Sequence, residues 1–482
     1  MKNDHLLSMD EMDSMGRRMH AFADDVLGHH DAVGVANLLR RGEVSTQEVM
    51  AAAIRRTESV EQLHALAARC FTAPRITPDT ETWAPFRGVP AFIKDNVELQ
   101  GVPTLHGSHA VPVRPAKRDD EVVQHLLAQG LVVLGKTRLP EFGFSPTTEF
   151  QHDEATHNPW NLLYSSGGSS GGAAALVAAG AVPIAHGNDG GGSIRIPAAV
   201  NGLVGLKSSR GRVPSHVAAA RLPVKIIVDG VLTRTVRDSA HFIAAIEKSY
   251  QTKLPKIGLV EGPSAKRLRI GLVFDSVGGV TSCQETRQAV AKIAQVLEKL
   301  GHEIIPIEPP VPQFFVDDFK LYWGFVAYSL RRNGKRFFGQ EFDANKLDGL
   351  THGLADYFKK RTWRLPLALV RLRGSSLAYG WAFRHLDAVL SPVLAHTTPP
   401  LGQLNPSVPF DELFERIAHF SAFTPLNNAT GSPAIAVPAG LSSLGLPIGV
   451  HFSAAFGAEG TLLDIAYQLE AEVGFPKIDQ RE

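Results

Sequence analysis

The chain lacks several features that would assign it to a specialised class. Its 482 residues contain only two cysteines, Cys70 and Cys283, and neither a CxxC pair nor a Cys/His cluster occurs. This count argues against a disulfide scaffold and a zinc site, and it is typical of a reducing compartment. No stretch approaches the roughly 18 consecutive apolar residues of a membrane span. We therefore expect a cytoplasmic protein.

Excess charge of either sign is also missing. Lys and Arg number 49 and Asp and Glu 48, which gives a net charge of +1. This balance gives no electrostatic reason to expect nucleic acid or a membrane as a partner. The first 20 residues contain no signal-peptide core, because Asp, Glu and Arg interrupt every apolar run. We expect residues 1–32 to form an N-terminal helical extension.

Helical and strand patterns alternate along the rest of the chain. Ser45 and Glu48 form a capping-box pattern at the start of an Ala-rich helix. Lys94 stands near the end of the buried strand pattern "GVPAFIKDNVEL", and Gly130 ends a helix. The predicted elements include helices within 33–70, 173–179 and 284–300 and a strand over 131–134. This alternation predicts an α/β fold in one large domain, residues 33–482, with a mainly parallel or mixed sheet covered by helices.

Residues 312–381 differ from the rest in their aromatic content. They hold "FFVDDFKLYWGFVAY", "RFFGQEF" and "ADYFKKRTWR", which read as an aromatic-rich helical insertion. Core packing alone explains many such rings, and others would suit the wall of an apolar cleft. We expect the insertion to line a substrate cleft.

Two motif matches occur in a context that disfavours them. "GLVVLGKT", from Gly130 to Thr137, fits the phosphate-binding pattern GxxxxGK[ST], which needs a strand before it and a helix after it. Here a helix precedes the motif and its interior is itself strand-like. Lys136 is therefore expected to lie at a strand end and to bind no phosphate.

"GGSSG", Gly167 to Gly171, fits the GxSxG nucleophile elbow. It would make Ser169 a nucleophile served by a downstream histidine, either His396 or His451. The elbow requires a strand directly before the serine, and "NPWNLLYSSGG" is rich in turn residues. We expect no such strand there.

"GNDGGGSIR", Gly187 to Arg195, supports a third interpretation. If a helix begins at Ser193, its free N–H groups and those of the preceding glycines converge on one point, where they would stabilise an oxyanion. Ser193 is then a candidate nucleophile. Lys94, in an apolar strand that favours its neutral form, is a candidate base, and Ser169 could transfer the proton between them.

Taken together, these segments closely resemble the amidase signature family. The likeness includes "RGVPAFIKDNV", "SSGGSSGGAAALVAAGAVPIAHGNDGGGSIRIPAAVNGLVGLKSSRGRVP" and "FTPLNNATGSPAIAVPAG". The resemblance implies a mixed, twisted sheet flanked by helices, without metal or organic cofactor. It implies a catalytic triad of Lys94, Ser169 and Ser193, with a cis bond between Gly168 and Ser169. The residues it assigns to an oxyanion hole are Gly190, Gly191, Gly192 and Ser193, and those it assigns to bracing the loop are Asp189 and Arg195.

The resemblance also implies an activity. The segment "HGNDGGGSIRIP" most resembles the branch of the family that includes nylon-oligomer hydrolases and urethanases. We expect a serine hydrolase that cleaves amide bonds in small apolar or aryl substrates and acts as a monomer or homodimer, with carbamate and ester bonds as further candidates. The alternatives are the glutaminase subunit of a tRNA amidotransferase and a non-catalytic scaffold. Two departures from the family pattern are Gly190, where Thr or Ile is frequent, and His451, where Gln is common.

Overall fold

The computed structural model of the protein describes residues 16–77, 83–309 and 311–480. Its strands are β1 (Leu66–Arg69), β2 (Pro90–Lys94), β3 (Val132–Thr137), β4 (His157–Asn158), β5 (Asn161–Ser165), β6 (Ile184–Asp189), β7 (Val204–Lys207), β8 (Val228–Thr233), β9 (Arg269–Leu272), β10 (Glu303–Pro306), β11 (Ala388–Pro392), β12 (Ala434–Leu441) and β13 (Pro447–Ala454). Its α-helices are α1 (Ala32–Arg41), α2 (Thr46–Ser59), α3 (Glu121–Ala128), α4 (Gly171–Ala178), α5 (Arg195–Asn201), α6 (Val217–Ala220), α7 (Val236–Ser249), α8 (Gln284–Lys299), α9 (Phe314–Phe338), α10 (Gly349–Lys359), α11 (Leu365–Ala382), α12 (Phe410–Phe420), α13 (Pro425–Thr430) and α14 (Glu459–Val473).

Eleven strands form one sheet in the order β1-β3-β2-β6-β8-β7-β12-β13-β11-β9-β10. The pairs β2–β3, β2–β6, β9–β10 and β9–β11 are parallel, and the other neighbours are antiparallel. Because the sheet continues from one edge to the other, it joins both halves of the chain in one α/β domain. The predicted fold class, a single domain with a mixed sheet flanked by helices, is confirmed.

Local signals in the sequence explain several element boundaries. The capping box at α2 forms as predicted, with the Ser45 side chain accepting from the Glu48 N–H and the Glu48 carboxylate accepting from the Ser45 N–H. Gly130 has a φ of +89° and ends the α3 segment, and Gly301, at φ +88°, follows α8. Helix α8 buries Val290, Ile293 and Leu297 on the side that faces the sheet.

Three local predictions were wrong. Residues 66–69, at the end of the predicted helical stretch 33–70, form strand β1, because they pair with β3 at the sheet edge. Strand β3 runs from Val132 to Thr137 and is therefore longer than the predicted 131–134. Asn161–Ser165 is a strand, which pairs with β4 in a separate two-stranded sheet and bridges to Pro400, but it ends at Ser165 and not directly before Ser169.

The N-terminal segment is attached to the sheet domain. Residues 1–15 of the expected helical extension lie outside the described residues, and residues 16–31 run as turns and extended chain. Met19 N–H donates to the Pro159 carbonyl and Ala21 N–H donates to the Ala179 carbonyl, each at 2.7 Å. No helix in the described ranges has both the length and the hydropathy that crossing a membrane requires.

The segment 312–381 folds as three successive helices, α9, α10 and α11. Helix α9 packs against both α10 and α11. Three of its rings, those of Phe315, Phe319 and Tyr322, are buried, and the Tyr322 hydroxyl donates to the Val224 carbonyl at 2.7 Å. Helix α11 in turn packs on α13, which lies beside the loop that follows β6.

We predict that Gly130→Ala destabilises the protein more than Gly42→Ala does. Both glycines have a positive φ, +89° and +70°, so each alanine costs about 1–2 kcal/mol of backbone strain. A methyl group at Gly130 would also lie 2.6 Å from Arg87 Cα, whereas one at Gly42 meets nothing within 4 Å. The overpacking adds about 1–3 kcal/mol at Gly130 alone. Urea unfolding of both variants measures the difference, and equal losses would contradict the packing described for Gly130.

Candidate active site

The site is centred on Lys94, the last residue of β2. The sheet places β2 between β3 and β6, so the Lys94 side chain is completely buried. Its Nζ lies 2.8 Å from Ser169 Oγ, 2.9 Å from Ser170 Oγ and 2.8 Å from Asn188 Oδ1. The Asn188 carbonyl oxygen is more distant, at 3.4 Å. Three oxygens from two segments therefore surround one buried amine.

The chemistry of these three oxygens determines how a neutral Lys94 is oriented. A neutral amine has two hydrogens to donate and one lone pair. Asn188 Oδ1 can only accept, and Ser170 Oγ already directs its own hydrogen to the Asn188 carbonyl oxygen at 3.3 Å. Both therefore take hydrogens from Lys94. The lone pair is left for Ser169 Oγ, which can donate its proton to it.

Burial lowers the pKa of Lys94 to about 7, against a partial opposing effect of the negative charges of Asp229 and Asp189. Asp229 is itself buried between two imidazoles: His186 Nε2 lies 3.2 Å from Asp229 Oδ1 and His216 Nδ1 lies 2.9 Å from Oδ2. Although burial raises it, His216 and His186 together hold the pKa of Asp229 well below its usual range. Near neutral pH, Lys94 thus has a substantial neutral population, while the nearby Asp229 carboxylate remains ionised.

The segment that holds Ser169 packs on the segment that holds Ser193. The Gly168–Ser169 peptide bond is cis. A methyl group at Gly167 would lie 2.9 Å from Pro197 Cα, in the helix that follows Ser193. On the other side, one at Gly143 would lie 2.9 Å from Ser169 Oγ. The segment around Ser169 is therefore packed closely at two glycines, Gly143 and Gly167, where no side chain would fit.

Ser193 lies between the glycines and α5, which begins at Arg195 and not at Ser193 as predicted. It is nearly buried. Within the described chain, Ser193 Oγ makes no hydrogen bond, and the Lys94 amine contacts Ser169 but not Ser193. Among the described residues, the hydrogen bonds therefore join Lys94 to Ser169, and none joins Ser193 to either of them.

The four N–H groups predicted for an oxyanion hole are not equivalent. The Gly192 N–H donates to Asp189 Oδ1 at 2.8 Å, so it is already committed. The N–H groups of Gly190, Gly191 and Ser193 donate to no acceptor in the part of the chain that the structure describes. A glycine is required at position 192 for the conformation and packing of the loop. Its φ is +130°, and a methyl group there would lie 2.3 Å from Thr424 Oγ1.

A buried network fixes the glycine loop. Arg195 donates to Asp189 through Nε and Nη2, each at 2.9 Å, and to Asn428 Oδ1 at 2.7 Å. Burial raises the pKa of Asp189, but Arg195 outweighs this effect and holds that pKa well below its usual range. Thr424 Oγ1 donates to the Gly191 carbonyl at 2.5 Å. Asp189 and Arg195 are therefore linked across the loop, which Asn428 and Thr424 also contact, and their bracing role stays a prediction.

The histidines considered as partners of Ser169 lie elsewhere. His451 Nε2 faces Arg195 Nη1 at 3.0 Å, and its Nδ1 faces Ser391 Oγ at 3.1 Å. Burial and then the charge of Arg195 hold the pKa of His451 well below its ordinary value, so it is neutral and its Nε2 accepts from Arg195. His396 stacks on Phe420 with 4.7 Å between ring centroids. Neither histidine hydrogen-bonds to Ser169.

Lys136 also has a structural role. It lies near the end of β3, as predicted, and its Nζ contacts Asp95 Oδ1 at 2.6 Å, with both side chains buried. Helix α3 precedes the motif "GLVVLGKT" and β3 runs through it, so the phosphate-loop geometry is not formed.

One group among the described residues brings together three side chains that could ligate a metal: His64, Glu154 and His157, whose ligand atoms lie within 4.8 Å of one another. His157 Nδ1 faces the Leu162 carbonyl at 2.5 Å, which leaves Nε2 as its accepting nitrogen. None of the three hydrogen-bonds to Lys94, Ser169 or Ser193. The site built around Lys94 is separate from this group.

Sequence reasoning missed Asn188 and Ser170, which contact Lys94 directly. Asn188 is held by Asn96, through a 3.0 Å bond from Asn188 Nδ2 to Asn96 Oδ1. A signal was present: His186 and Asn188 are polar residues two apart on the buried strand β6. On a strand, such spacing places both side chains on one face.

Comparisons with known proteins show the family and the fold. The family model described as Amidase matches residues 35–463. AmiC of Mycobacterium tuberculosis is 48% identical over 458 residues, which cover 94% of this chain and 96% of AmiC. The 6-aminohexanoate-cyclic-dimer hydrolase of Paenarthrobacter ureafaciens is 33% identical over 474 residues, which cover 91% of this chain and 94% of that protein.

Solved structures share the fold. A 6-aminohexanoate cyclic dimer hydrolase has a TM-score of 0.81 at 29% identity, and the match covers 95% of this chain and 99% of that one. A bacterial aryl acylamidase of the amidase signature enzymes has a TM-score of 0.77 at 24% identity, over 92% of this chain and 96% of the other. The second likeness bears on the fold alone.

We predict that Arg195→Met lowers the free energy of unfolding by about 3–5 kcal/mol, because it leaves the buried Asp189 carboxylate without its cation. Arg269→Met is the matched control, since it breaks an exposed ion pair with Glu303 and should cost about 1 kcal/mol or less. Denaturant unfolding at pH 7 measures both. A loss at Arg195 no larger than that at Arg269 would contradict the bracing role.

Proposed function

The chain belongs to the amidase signature family, and on that premise we propose that it is a serine hydrolase that cleaves amide bonds of small apolar or aryl substrates through an acyl-enzyme on Ser193. The observation that carries the proposal is the 2.8 Å contact between Ser169 Oγ and a buried lysine whose pKa is lowered to about 7. A base with such a pKa can accept a proton at neutral pH and return it within one catalytic cycle.

The proposed reaction begins with two proton transfers. Neutral Lys94 takes the proton of Ser169 while Ser169 takes that of Ser193. Ser193 Oγ forms a bond to the substrate carbonyl carbon, and the carbonyl electrons move to its oxygen. The bond to the leaving amine then breaks, and the amine receives the proton stored on Lys94 through Ser169. Water attacks the acyl-enzyme with the same groups as base, which releases the carboxylic acid and restores Ser193.

The negative oxygen of the tetrahedral intermediate needs donors that are not otherwise occupied. We assign this role to the N–H groups of Gly190, Gly191 and Ser193. Gly192, whose N–H is bonded to Asp189, contributes the backbone bend. Removal of one such donor typically costs about 2.7–4 kcal/mol of barrier. The ion pair of Asp189 and Arg195 keeps these donors in place before substrate arrives.

Two aromatic groups from the insertion support an apolar or aryl substrate. Phe319 lies beside the glycine loop, since a methyl group at Gly191 would lie 3.9 Å from its ring. At the other end of α9, the ring of Phe338 packs on that of Phe142, with centroids 5.7 Å apart, next to Gly143 and Ser169. We propose that these rings wall the cleft. The name of one similar protein, the 6-aminohexanoate-cyclic-dimer hydrolase, favours amides, and carbamates and esters are proposed as further substrates.

Ser193→Ala should lower turnover of an aryl amide by at least about 1,000-fold, because no other group replaces the nucleophile. Amine release measures this rate for an aryl amide, an aryl carbamate and a linear amide oligomer. The ranking of the three identifies the preferred bond. Intact-mass spectrometry during turnover should show an acyl adduct in the wild type and none in the variant.

Ser208→Ala is the matched control, because Ser208 is a buried serine whose hydroxyl has no partner in the described chain. Its turnover should stay within about twofold of wild type. A Ser193→Ala variant that retains turnover would overturn the assignment of the nucleophile.

Activity should fall as the pH drops below about 7, because protonated Lys94 has no lone pair for Ser169. For one group with this pKa, kcat/KM at pH 6 is about tenfold lower than on the alkaline plateau. Lys94→Ala should lose at least about 100-fold at every pH. A pH profile of kcat/KM from 5 to 9 measures both effects.

Lys207 provides the control for this profile. Burial and then the charge of Arg195 also lower its pKa to about 7, but its Nζ contacts only the Ser208 carbonyl within the described chain. Lys207→Met should therefore leave the midpoint unchanged. A midpoint that moves in Lys207→Met would show that Lys94 is not the titrating base.

A further inference from the structure

Helix α11 of the insertion carries an unusual outer face. Trp363, in the turn before the helix, is 79% exposed, and along the helix Leu367, Val370, Leu377 and Trp381 are 54%, 68%, 73% and 64% exposed. Their spacings of four, three, seven and four residues place them on one side of the helix. Gly374 fills the gap in this spacing, and a methyl group added there would meet nothing within 4 Å. We call these six residues the α11 stripe.

The opposite side of α11 is also apolar and is buried. Ala368, Leu372 and Tyr379 pack into the protein, against α9 and α13. A helix that is apolar on all sides is normally enclosed. The α11 stripe is therefore not explained by packing within this chain, and an exposed patch that contains two tryptophans marks an interaction surface.

The charges around the stripe have one sign. Between Asp356 and Asp387 the chain has seven Lys and Arg residues and no Asp or Glu. Two of these cations face carboxylates of α9: Arg364 lies 3.8 Å from Asp317 and Arg371 lies 3.8 Å from Asp318. The other five make no ion pair in the described part of the chain. The near-zero net charge of the whole protein thus conceals a local basic region.

We propose that the α11 stripe docks on an anionic lipid surface. A helix that lies in a membrane interface has Trp and Leu on one face and Lys and Arg beside it, and its binding combines apolar burial with attraction to anionic lipids. A second copy of this chain fits less well. An antiparallel pair of α11 helices crossing at Gly374 would bring Arg371 and Arg373 of both copies together, and facing like charges oppose association.

This docking does not rest on the proposed function, but it has a consequence for the site. Helix α11 packs on α13, and α13 supplies Asn428, which accepts from Arg195 and donates to the Asp189 carbonyl at 2.8 Å. The helix that would contact lipid is therefore one layer removed from the brace of the glycine loop. Docking would place the insertion, and the site behind it, at the lipid surface.

The test is sedimentation of the full chain with vesicles of equal parts phosphatidylglycerol and phosphatidylcholine, with pure phosphatidylcholine vesicles for comparison. We expect partition into the anionic vesicles that weakens as salt is raised, because exposed charges are screened. The double variant Trp363→Ser/Trp381→Ser should partition at least about tenfold less. The double variant Val113→Ser/Leu444→Ser, which changes residues that are 72% and 59% exposed elsewhere, is the matched control and should bind like wild type.

Absence of binding to either kind of vesicle would overturn the proposal, as would equal losses in the two double variants. Light scattering on the same samples distinguishes the other occupants. A dimer of the wild type that dissociates in Trp363→Ser/Trp381→Ser would assign the stripe to a second copy and contradict lipid docking. An unchanged thermal midpoint in both variants shows that each remains folded, so that a loss of binding reports on the surface.

Discussion

The active site depends on the desolvation of one amine. Lys94 ends a strand in the interior of an eleven-stranded sheet, and its burial is what brings its pKa to about 7. An exposed lysine would remain charged at neutral pH and could not serve as a base. The sheet therefore supplies more than a scaffold, because the strands on both sides of β2 exclude the water that would otherwise stabilise the ammonium.

Burial alone does not orient the amine. Asn188 and Ser170 satisfy its hydrogens, which leaves the lone pair for Ser169. Asn188 is in turn held by Asn96 and approaches Asp229, at 3.4 Å from Nδ2 to the carboxylate. Desolvation lowers the pKa of Lys94, whereas the negative charge of Asp229 raises it. The two effects together bring this pKa to about 7.

A buried ion pair constrains the conformation of the glycine loop between β6 and α5. Asp189 ends β6 and Arg195 begins α5, so the loop between them is closed by a completely buried ion pair. One oxygen of Asp189 also takes the Gly192 N–H, and this contact separates the four backbone donors into one that is structural and three that are open. The buried ion pair and the geometry of the proposed oxyanion site therefore involve the same carboxylate.

Much of this could be predicted from the sequence because it is local or recurrent. The capping box at Ser45 and the helix end at Gly130 depend on neighbours in the chain, and the segments around Lys94, Ser169 and Ser193 resemble those of a known family. What failed depends on contacts that the local sequence pattern does not reveal. Leu66–Arg69 is a strand because it pairs with β3, Asn161–Ser165 pairs with β4 and bridges to Pro400, and the commitment of the Gly192 N–H follows from the orientation of the Asp189 side chain.

The alternation of strands and helices predicted the fold class, whereas the composition of the whole chain obscured a local property. A net charge of +1 says nothing about how the charges are distributed, and the basic region around α11 is offset by acidic residues elsewhere. Likewise, counting aromatics in 312–381 could not separate the buried Phe319 from the exposed Trp381. Only the packing of α9 and α11 makes that distinction.

The role of Lys94 as the base requires a substantial neutral population near pH 7, and NMR titration of the protein with isotope-labelled lysine side chains measures that population. Lys94→Met identifies the Lys94 resonance by its disappearance. We expect this resonance to titrate with a midpoint of about 7. A midpoint above about 9 would mean that Lys94 remains charged at neutral pH, and it would contradict the role of Lys94 as the base.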